Sequence, residues 1–173
     1  MAARRSMELE KDPARIKVLA ARGRAETVRL LVFLEHGPIA RSDVDGRLRE
    51  LYDRVKSEID CTACANCCRV LPVALSSHDA RRLAEHLGQS VRDFRAAHVR
   101  IQNHRAVFAE LPCQFLAGTR CACYADRPAA CRSFPHLHQP NLRRVVDDAG
   151  ICPIVYNVLE CLKRELGNRW RRR

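Results

Sequence analysis

The chemistry that this sequence could perform is concentrated in its cysteines, which number ten in 173 residues. Four of them form the run Cys61-Thr-Ala-Cys64-Ala-Asn-Cys67-Cys68, in which two residues separate each of the first three cysteines and the last two are adjacent. This spacing lets a short loop turn several sulfur atoms toward one point, as in zinc knuckles and in the loops that bind cubane iron–sulfur clusters. The run therefore predicts a metal centre.

The adjacent cysteines of this run carry further information. Neighbouring side chains in an extended loop point to opposite sides. We therefore expect Cys67 and Cys68 to face different neighbours, so that Cys68 serves a second centre or closes the first from another side. A second group of cysteines lies downstream and can join the first group across the fold: Cys113, Cys121, Cys123, Cys131 and Cys152.

Two cysteines are expected to be structural. Cys161 lies beside the apolar stripe of the last predicted helix, and Cys123 follows Cys121, which already supplies a sulfur there. A cysteine that binds nothing behaves as a small buried hydrophobic residue. The other eight could then serve two centres with four ligands each.

The cellular compartment decides between metal ligation and a disulfide framework, because disulfides need an oxidising environment. Residues 1–12 carry charges where a signal peptide needs an apolar stretch. No apolar run approaches the length of a membrane span. We therefore expect a cytoplasmic protein that is not associated with a membrane and whose cysteines bind metal.

The basic charge of the chain is unevenly distributed. Most of the net charge of +11 lies in residues 1–24 and 162–173. A nucleic-acid-binding fold usually has a basic face on its folded body as well. Nucleic acid, bound through the basic tails, is therefore an alternative partner rather than the expected one, and an unidentified protein is the other partner considered.

The elements that must position the cysteines are mostly helical. Apolar residues at helical spacing, with caps and stop signals, predict helices from Asp12-Pro13 to Gly37, from Ser42 toward Cys61, after Ser76 or Ser77, after Ser90, and from Ile154 to Gly167. Around the cysteines we predict a hairpin at Gly118, a helical turn at residues 129–134, a short extended segment at residues 70–75 and a strand at Val145–Val146. Residues 101–112 give no clear pattern.

The predicted fold class is α-rich, an α+β fold with little β structure. Small helices and short hairpins would pack around the cysteine-ligated metal centre or centres, flanked by N- and C-terminal amphipathic helices. Three segments are expected. They are a basic lead-in and helical segment at residues 1–60, a metal-binding domain at residues 61–153, and a C-terminal helix with a basic tail at residues 154–173.

At its cysteine motifs the chain resembles the YkgJ family of cysteine cluster proteins, described as a zinc- or iron-chelating domain. Residues 61–68 match the family signature C-x-x-C-x-x-C-C. Residues 113–135 are similar to its second signature, C-P-F-L…G-x-C-x-I-Y-x-x-R-P-x-x-C-R-x-F-P, with Gln114 in place of proline and Cys123 in place of an aliphatic residue. A later Cys-Pro pair, Cys152-Pro153, also fits.

The resemblance implies metal chelation and a particular ligand set, but it implies no reaction. The ligands it implies are Cys61, Cys64, Cys67, Cys68, Cys113, Cys121, Cys131 and Cys152. The cofactor is an iron–sulfur cluster or zinc, and the tight triple spacing favours iron–sulfur because it resembles half of a ferredoxin loop. We expect a metal-binding protein without its own catalysis. The alternatives are an iron–sulfur redox protein or accessory enzyme, and a zinc protein that binds nucleic acid.

Other polar residues near the motifs have expected roles. The guanidinium groups of Arg127 and Arg132 could offset the negative charge of a thiolate cluster, or form surface ion pairs. His136 and His138 are not expected to be ligands where so many thiolates are available. The remaining central histidines are expected to lie on polar, solvated faces: His78, His86, His98 and His104.

Overall fold

The structure is a computed structural model that describes residues 8–135, 137 and 143–171, except for the side chains of residues 143 and 144. It divides into two compact units. One unit combines Met1–Ile59 with Pro135–Arg173, and the other is the continuous segment Asp60–Phe134. The three segments expected from the sequence stay a prediction. His136 and His138 lie outside the described residues.

The described elements confirm an α-rich fold with little β structure. In chain order the helices are α1 (Pro13–Arg22), α2 (Arg24–His36), α3 (Arg41–Lys56), α4 (Cys61–Cys64), α5 (Asn66–Val70), α6 (Ser77–His86), α7 (Val91–His98), α8 (Ala129–Ser133), α9 (Arg143–Asp148) and α10 (Pro153–Leu166). A 3₁₀ turn follows at Gly167–Trp170. The strands are β1 (Val99–Gln102), β2 (Arg105–Phe108), β3 (Leu116–Ala117) and β4 (Arg120–Cys121).

The core of the discontinuous unit is the packing of α3 against α10. The apolar stripe predicted on α3 is buried, as is the stripe on α10 that holds Cys161. These stripes follow the 3.6-residue period of a helix, so each helix turns one apolar face to the other. The start of α3 differs from the expectation, because Ala40 and not Ser42 is its N-cap residue.

A buried amide fixes the beginning of this unit to α10. Asn157 donates two hydrogen bonds of 2.7 Å, to the carbonyl oxygens of Glu10 and Pro153. Its own oxygen accepts a 3.1 Å bond from the Glu10 N–H. Asp12 then caps α1 by accepting a 2.9 Å bond from the Ala14 N–H, as the Asp-Pro pair predicts.

The predicted strand at Val145–Val146 is wrong, because these residues lie in α9. Val145 is only 1% exposed. Two adjacent β-branched residues favour a strand, but the packing of α9 against α2 and α10 decides the local structure. Among the described residues, no helix has both the length and the apolar character needed to cross a membrane.

The Asp60–Phe134 unit has its own apolar core. The capped helices α6 and α7 pack on each other, and their buried side chains meet aromatic residues from the strands. The Phe108 and Phe115 rings lie edge to face at 5.1 Å. Cys123 is buried in this core, and Cys113 and Cys121 pack against it.

A β-hairpin occupies the stretch that the sequence left unassigned. Strands β1 and β2 are antiparallel, with Val99 opposite Phe108. Asn103 and His104 form the turn between them, and both have positive φ angles, of 49° and 60°. Two such residues are typical of the tight turns whose twist matches that of the strands. The extended segment predicted at residues 70–75 lies beside β2, where Ala74 pairs with Val107.

Asp79 is the most connected carboxylate of this unit. With Ser76 it forms a capping box at the start of α6. It also accepts a 3.0 Å bond from the N–H of Ala129, the first residue of α8, and a 3.2 Å bond from Arg82. Burial opposes its ionisation, but the hydrogen bonds from Ser76 and Ala129 and the charge of Arg82 outweigh it, so the pKa of Asp79 lies below its usual value.

We therefore expect Asp79→Ala to lower the free energy of unfolding by about 2–3 kcal/mol, because it leaves several buried donors without an acceptor. Asp93→Ala is the matched control. Asp93 stands in the same Ser-x-x-Asp cap on α7 but is exposed, so its loss should be about 1 kcal/mol or less. Denaturant unfolding measures both variants. Equal losses would show that the bond to α8 contributes nothing.

Because the pKa of Asp79 is lowered, the difference in stability between wild type and Asp79→Ala should depend on pH. A carboxyl group whose pKa is lower in the folded state stabilises the protein above its unfolded pKa of about 4, and this stabilisation is lost as the pH falls below that value. The difference between wild type and Asp79→Ala should therefore be constant near neutral pH and shrink below a pH of about 4. Urea unfolding of both proteins across this range measures it.

Candidate metal centre

The first cysteine run forms two short helices rather than an extended loop. Asp60 caps α4 by accepting bonds of 2.8 Å and 2.7 Å from the N–H and hydroxyl of Thr62, and these bonds lower the pKa of Asp60. The helix ends at Ala65, a buried residue with a left-handed φ of 48°. A single left-handed residue reverses the chain, so α5 begins immediately after it.

The helical conformation changes the expected directions of the adjacent cysteines. Both are in α5, and the Sγ atoms of Cys67 and Cys68 lie 3.9 Å apart. The expectation that they turn to opposite sides is wrong, because it assumed an extended backbone. Their contact has an electrostatic effect: the hydrogen bond from Cys67 lowers the pKa of Cys68 to about 7.

Backbone and side-chain hydrogen bonds join the first cysteine run to the second. The N–H of Cys113 donates a 2.8 Å bond to the carbonyl oxygen of Cys68. The guanidinium of Arg69 donates to the carbonyl oxygens of Cys64, at 3.0 Å, and Gly118, at 2.9 Å. These bonds hold the run against the following hairpin, whose strand β4 also contacts α4.

The hairpin predicted at Gly118 presents Cys121. Gly118 has a φ of 63°, a conformation that a glycine adopts readily. In the antiparallel pairing of β3 and β4, Leu116 is opposite Cys121. The next residue, Ala122, donates a 2.8 Å bond to the carbonyl oxygen of Phe115. The backbone on both sides of Cys121 is therefore fixed.

Helix α8, which confirms the predicted helical turn, presents Cys131. Its first N–H is held by Asp79, as described above. The Arg82 guanidinium stabilises the approach to this helix by donating to the carbonyl oxygens of Asp126, at 3.1 Å, and Arg127, at 2.9 Å. Two polar side chains of α6, Asp79 and Arg82, thus fix the start of the helix that carries Cys131.

Four thiols from these four separate elements lie within electrostatic range of one another: Cys68, Cys113, Cys121 and Cys131. Each pair of the four interacts. Burial, with the neighbouring thiols adding to it, raises the pKa of Cys131 to about 12 and also raises that of Cys113. All four are half-buried.

The remaining predicted ligands have different positions. Cys61 is exposed and Cys64 half-buried on α4, and Cys67 adjoins Cys68 as described. Cys152 belongs to the discontinuous unit, where it is the buried N-cap residue of α10 and its N–H donates a 2.8 Å bond to the Asp148 carbonyl oxygen. The eight-cysteine ligand set as a whole stays a prediction.

Two observations test whether these residues fit a metal. First, burial and the neighbouring thiols raise the pKa of Cys113 and Cys131, and a bound cation would offset this because metal-bound thiols are thiolates. Second, the Arg127 Nε is buried and has no hydrogen-bond partner among the described residues. The hydrogen bond from Cys123 is the main cause of the lowered pKa of Cys121, and the Arg127 charge adds to it and opposes the rise in the pKa of Cys131. A positive group of this kind stabilises an anionic thiolate centre.

The donor set therefore fits a metal by its chemistry, although its side chains are not gathered around one point. Within residues 8–135, 137 and 143–171, no group of three or more His, Cys, Asp and Glu side chains is close enough to hold an ion. Ligation thus requires side-chain rotations in the unit. The fixed backbones of the four elements limit how far each sulfur must move.

Sequence reasoning missed the residues that position the cysteines. Arg69 and Asp79 act on partners far along the chain, which no local pattern reveals. The sequence also predicts that His98 is solvated, whereas its ring packs between the rings of Phe94, at 5.1 Å, and Phe115, at 5.4 Å. Arg127 stacks on the Tyr124 ring at 3.9 Å instead of forming a surface ion pair.

The fold and the site define a small α-rich cysteine cluster protein. A family model, described as "CxxCxxCC: Putative zinc- or iron-chelating domain", matches residues 60–153. The match covers more than half of the chain, so the chain belongs to this family, and the resemblance noted in the sequence is confirmed. Its cysteine domain is a metal-binding one. No curated protein and no solved structure matches the chain.

The role of Arg69 can be tested by substitution. Arg69→Ala should lower the free energy of unfolding by about 1–3 kcal/mol, since it removes two charge-assisted bonds, one within the first cysteine motif and one to the second. Arg69→Lys keeps the charge but not the two-pronged geometry, and should recover less than half of the loss. Arg92→Ala, at a side chain that is 92% exposed, is the control. A loss at Arg69 no larger than at Arg92 would contradict this role.

Proposed function

We propose that the protein holds an iron–sulfur centre through the thiols of the Asp60–Phe134 unit and has no catalytic activity of its own. The observation that carries this proposal is the group of four mutually interacting thiols, Cys68, Cys113, Cys121 and Cys131. Four cysteines are the usual ligand set of iron–sulfur clusters. The spacing of Cys61, Cys64 and Cys67, typical of a cluster loop, supports iron–sulfur over other metals.

The chain's own residues would bind and orient such a centre. The Cys68–Cys113 backbone bond and the Arg69 guanidinium keep the two motifs side by side. Arg127 would offset part of the negative charge, and the apolar core would limit access of water. When bound, an iron–sulfur group supplies one-electron redox chemistry or structural cross-linking.

A cytoplasmic location is part of this proposal. Metal-bound cysteines are thiolates, so iron–sulfur ligation needs reduced cysteines. The cytoplasm keeps thiols reduced.

Zinc is the second candidate, and one distance favours it. Two thiolates bound to one tetrahedral zinc ion, at about 2.3 Å each, lie about 3.8 Å apart. The Cys67 and Cys68 sulfurs are 3.9 Å apart. In a cubane cluster each cysteine binds a different iron atom, so a contacting pair of sulfurs fits a single ion better.

Anaerobic purification with elemental analysis and an optical spectrum separates the two candidates. The iron–sulfur proposal predicts a brown protein that contains iron and acid-labile sulfide, with visible absorption that bleaches on reduction. A colourless protein with zinc as its only metal would overturn the iron–sulfur assignment in favour of zinc. A protein that takes up neither metal would overturn both.

Substitution of single cysteines tests the ligand group. Cys131→Ser should lose most of the bound metal and part of its stability, because the free energy of ligation contributes to the free energy of folding. Cys161→Ala is the control, since Cys161 is a buried thiol that lies in the discontinuous unit. It should keep its metal. Equal metal content in the two variants would remove Cys131 from the ligand group.

A further inference from the structure

Two sulfur atoms lie close together at the end of the second hairpin. The Sγ atoms of Cys121 and Cys123 are 3.6 Å apart, nearer than those of Cys67 and Cys68. The residue between them is held by its hydrogen bond to the Phe115 carbonyl oxygen. The two side chains therefore face each other across a backbone that is fixed on both sides.

The two thiols differ in their access to solvent. Cys121 is half-buried at the end of β4, whereas Cys123 is only 2% exposed. From the sequence, Cys123 was expected to be a small hydrophobic residue, and it does pack with the aromatic residues of the core. Core packing alone does not explain why its sulfur contacts a second sulfur that solvent can reach.

We propose that Cys121 and Cys123 are a modification site, at which a peroxide converts the two thiols into a reversible intramolecular disulfide. The Cys121 sulfur, which solvent reaches, attacks a peroxide oxygen, forming a sulfenic acid and releasing water when the peroxide is hydrogen peroxide. The Cys123 sulfur then attacks the sulfenic sulfur, forming the S–S bond and releasing a second water. The two thiols lose two electrons and two protons, and the peroxide is reduced.

The geometry favours Cys123 as the cysteine that forms a disulfide with Cys121. A disulfide bond is about 2.0 Å long, so the two sulfurs must approach by about 1.6 Å, which rotation of the side chains supplies. The burial of Cys123 keeps it from direct oxidation until Cys121 has reacted. Its sulfur, 3.6 Å away, is already beside Cys121 when the sulfenic acid forms, which favours it over external thiols.

The disulfide has a consequence that rests on the proposed function. Cys121 is one of the four mutually interacting thiols, and a sulfur in a disulfide is no longer a thiolate ligand. Oxidation of this pair would therefore remove one ligand and release the metal. Reduction of the disulfide would restore the ligand.

The experiment uses the purified full chain, with its metal, treated with one molar equivalent of hydrogen peroxide. Iodoacetamide then blocks the remaining thiols. Trypsin cleaves after Arg120 and chymotrypsin after Tyr124, which releases a peptide of residues 121–124 with Cys121 and Cys123 as its only cysteines. Cys131 falls on a separate peptide. Mass spectrometry without reduction then reports which cysteine Cys121 has joined.

The expected product is the peptide of residues 121–124, unalkylated and lighter by two hydrogens, which a thiol reductant returns to the alkylatable form. In Cys123→Val, a change of similar volume, this product should be absent and Cys121 should be recovered in alkylated or more oxidised form. Cys161→Val, at a buried cysteine of the discontinuous unit, should give the wild-type product. Two results in the wild type would overturn the proposal. One is Cys121 joined to a different cysteine, and the other is the peptide of residues 121–124 alkylated at both of its cysteines.

The amount of metal released into solution is measured in the same samples. It separates formation of the Cys121–Cys123 disulfide from the role of Cys121 as a metal ligand. Loss of most of the metal in step with the disulfide supports Cys121 as a ligand. A disulfide that forms while the metal stays bound confirms the modification site but overturns the role of Cys121 in ligation. A wild-type protein that forms the disulfide but never contained metal contradicts only the proposed function.

Discussion

The bond between the N–H of Cys113 and the carbonyl oxygen of Cys68 is the contact on which the candidate centre depends. It joins the end of the first cysteine run to the beginning of the second, and Arg69 bridges the same two regions by donating to Cys64 in the first and to Gly118 in the second. Backbone atoms make or accept all three bonds. The cysteine side chains are thus positioned without using their sulfur atoms, which leaves the sulfurs available to a metal.

Charge is the second constraint on the site. Burial and the neighbouring thiols raise the pKa of Cys113 and Cys131, so the four half-buried thiols cannot all ionise at neutral pH without compensation. Arg127 supplies part of it, and a cation would supply the rest. Metal binding and thiol ionisation are therefore linked, as in other thiolate sites. The same proximity of sulfurs that suits a metal brings Cys121 and Cys123 within reach of a disulfide.

The sequence predicted those features that depend on local chemistry. The capping box at Ser76, the turn at Gly118 and the last amphipathic helix each arise from residues within a few positions of one another. Features decided by distant contacts were missed or wrong. Arg69 binds a residue 49 positions away and Asp79 one 50 positions away, and Val145 is helical because of what α9 packs against. The family signature identified the ligands' chemistry, but it contains no information on how Cys67 and Cys68 are oriented.

The division into units affects the order in which the chain can assemble during its synthesis. The discontinuous unit needs α10 to cover the apolar stripe of α3, and α10 is made last among the described helices. Every residue of the Asp60–Phe134 unit has been made before then. Domains generally fold as their segments emerge from the ribosome. The cysteine unit can therefore acquire its metal while α3 still awaits its partner helix.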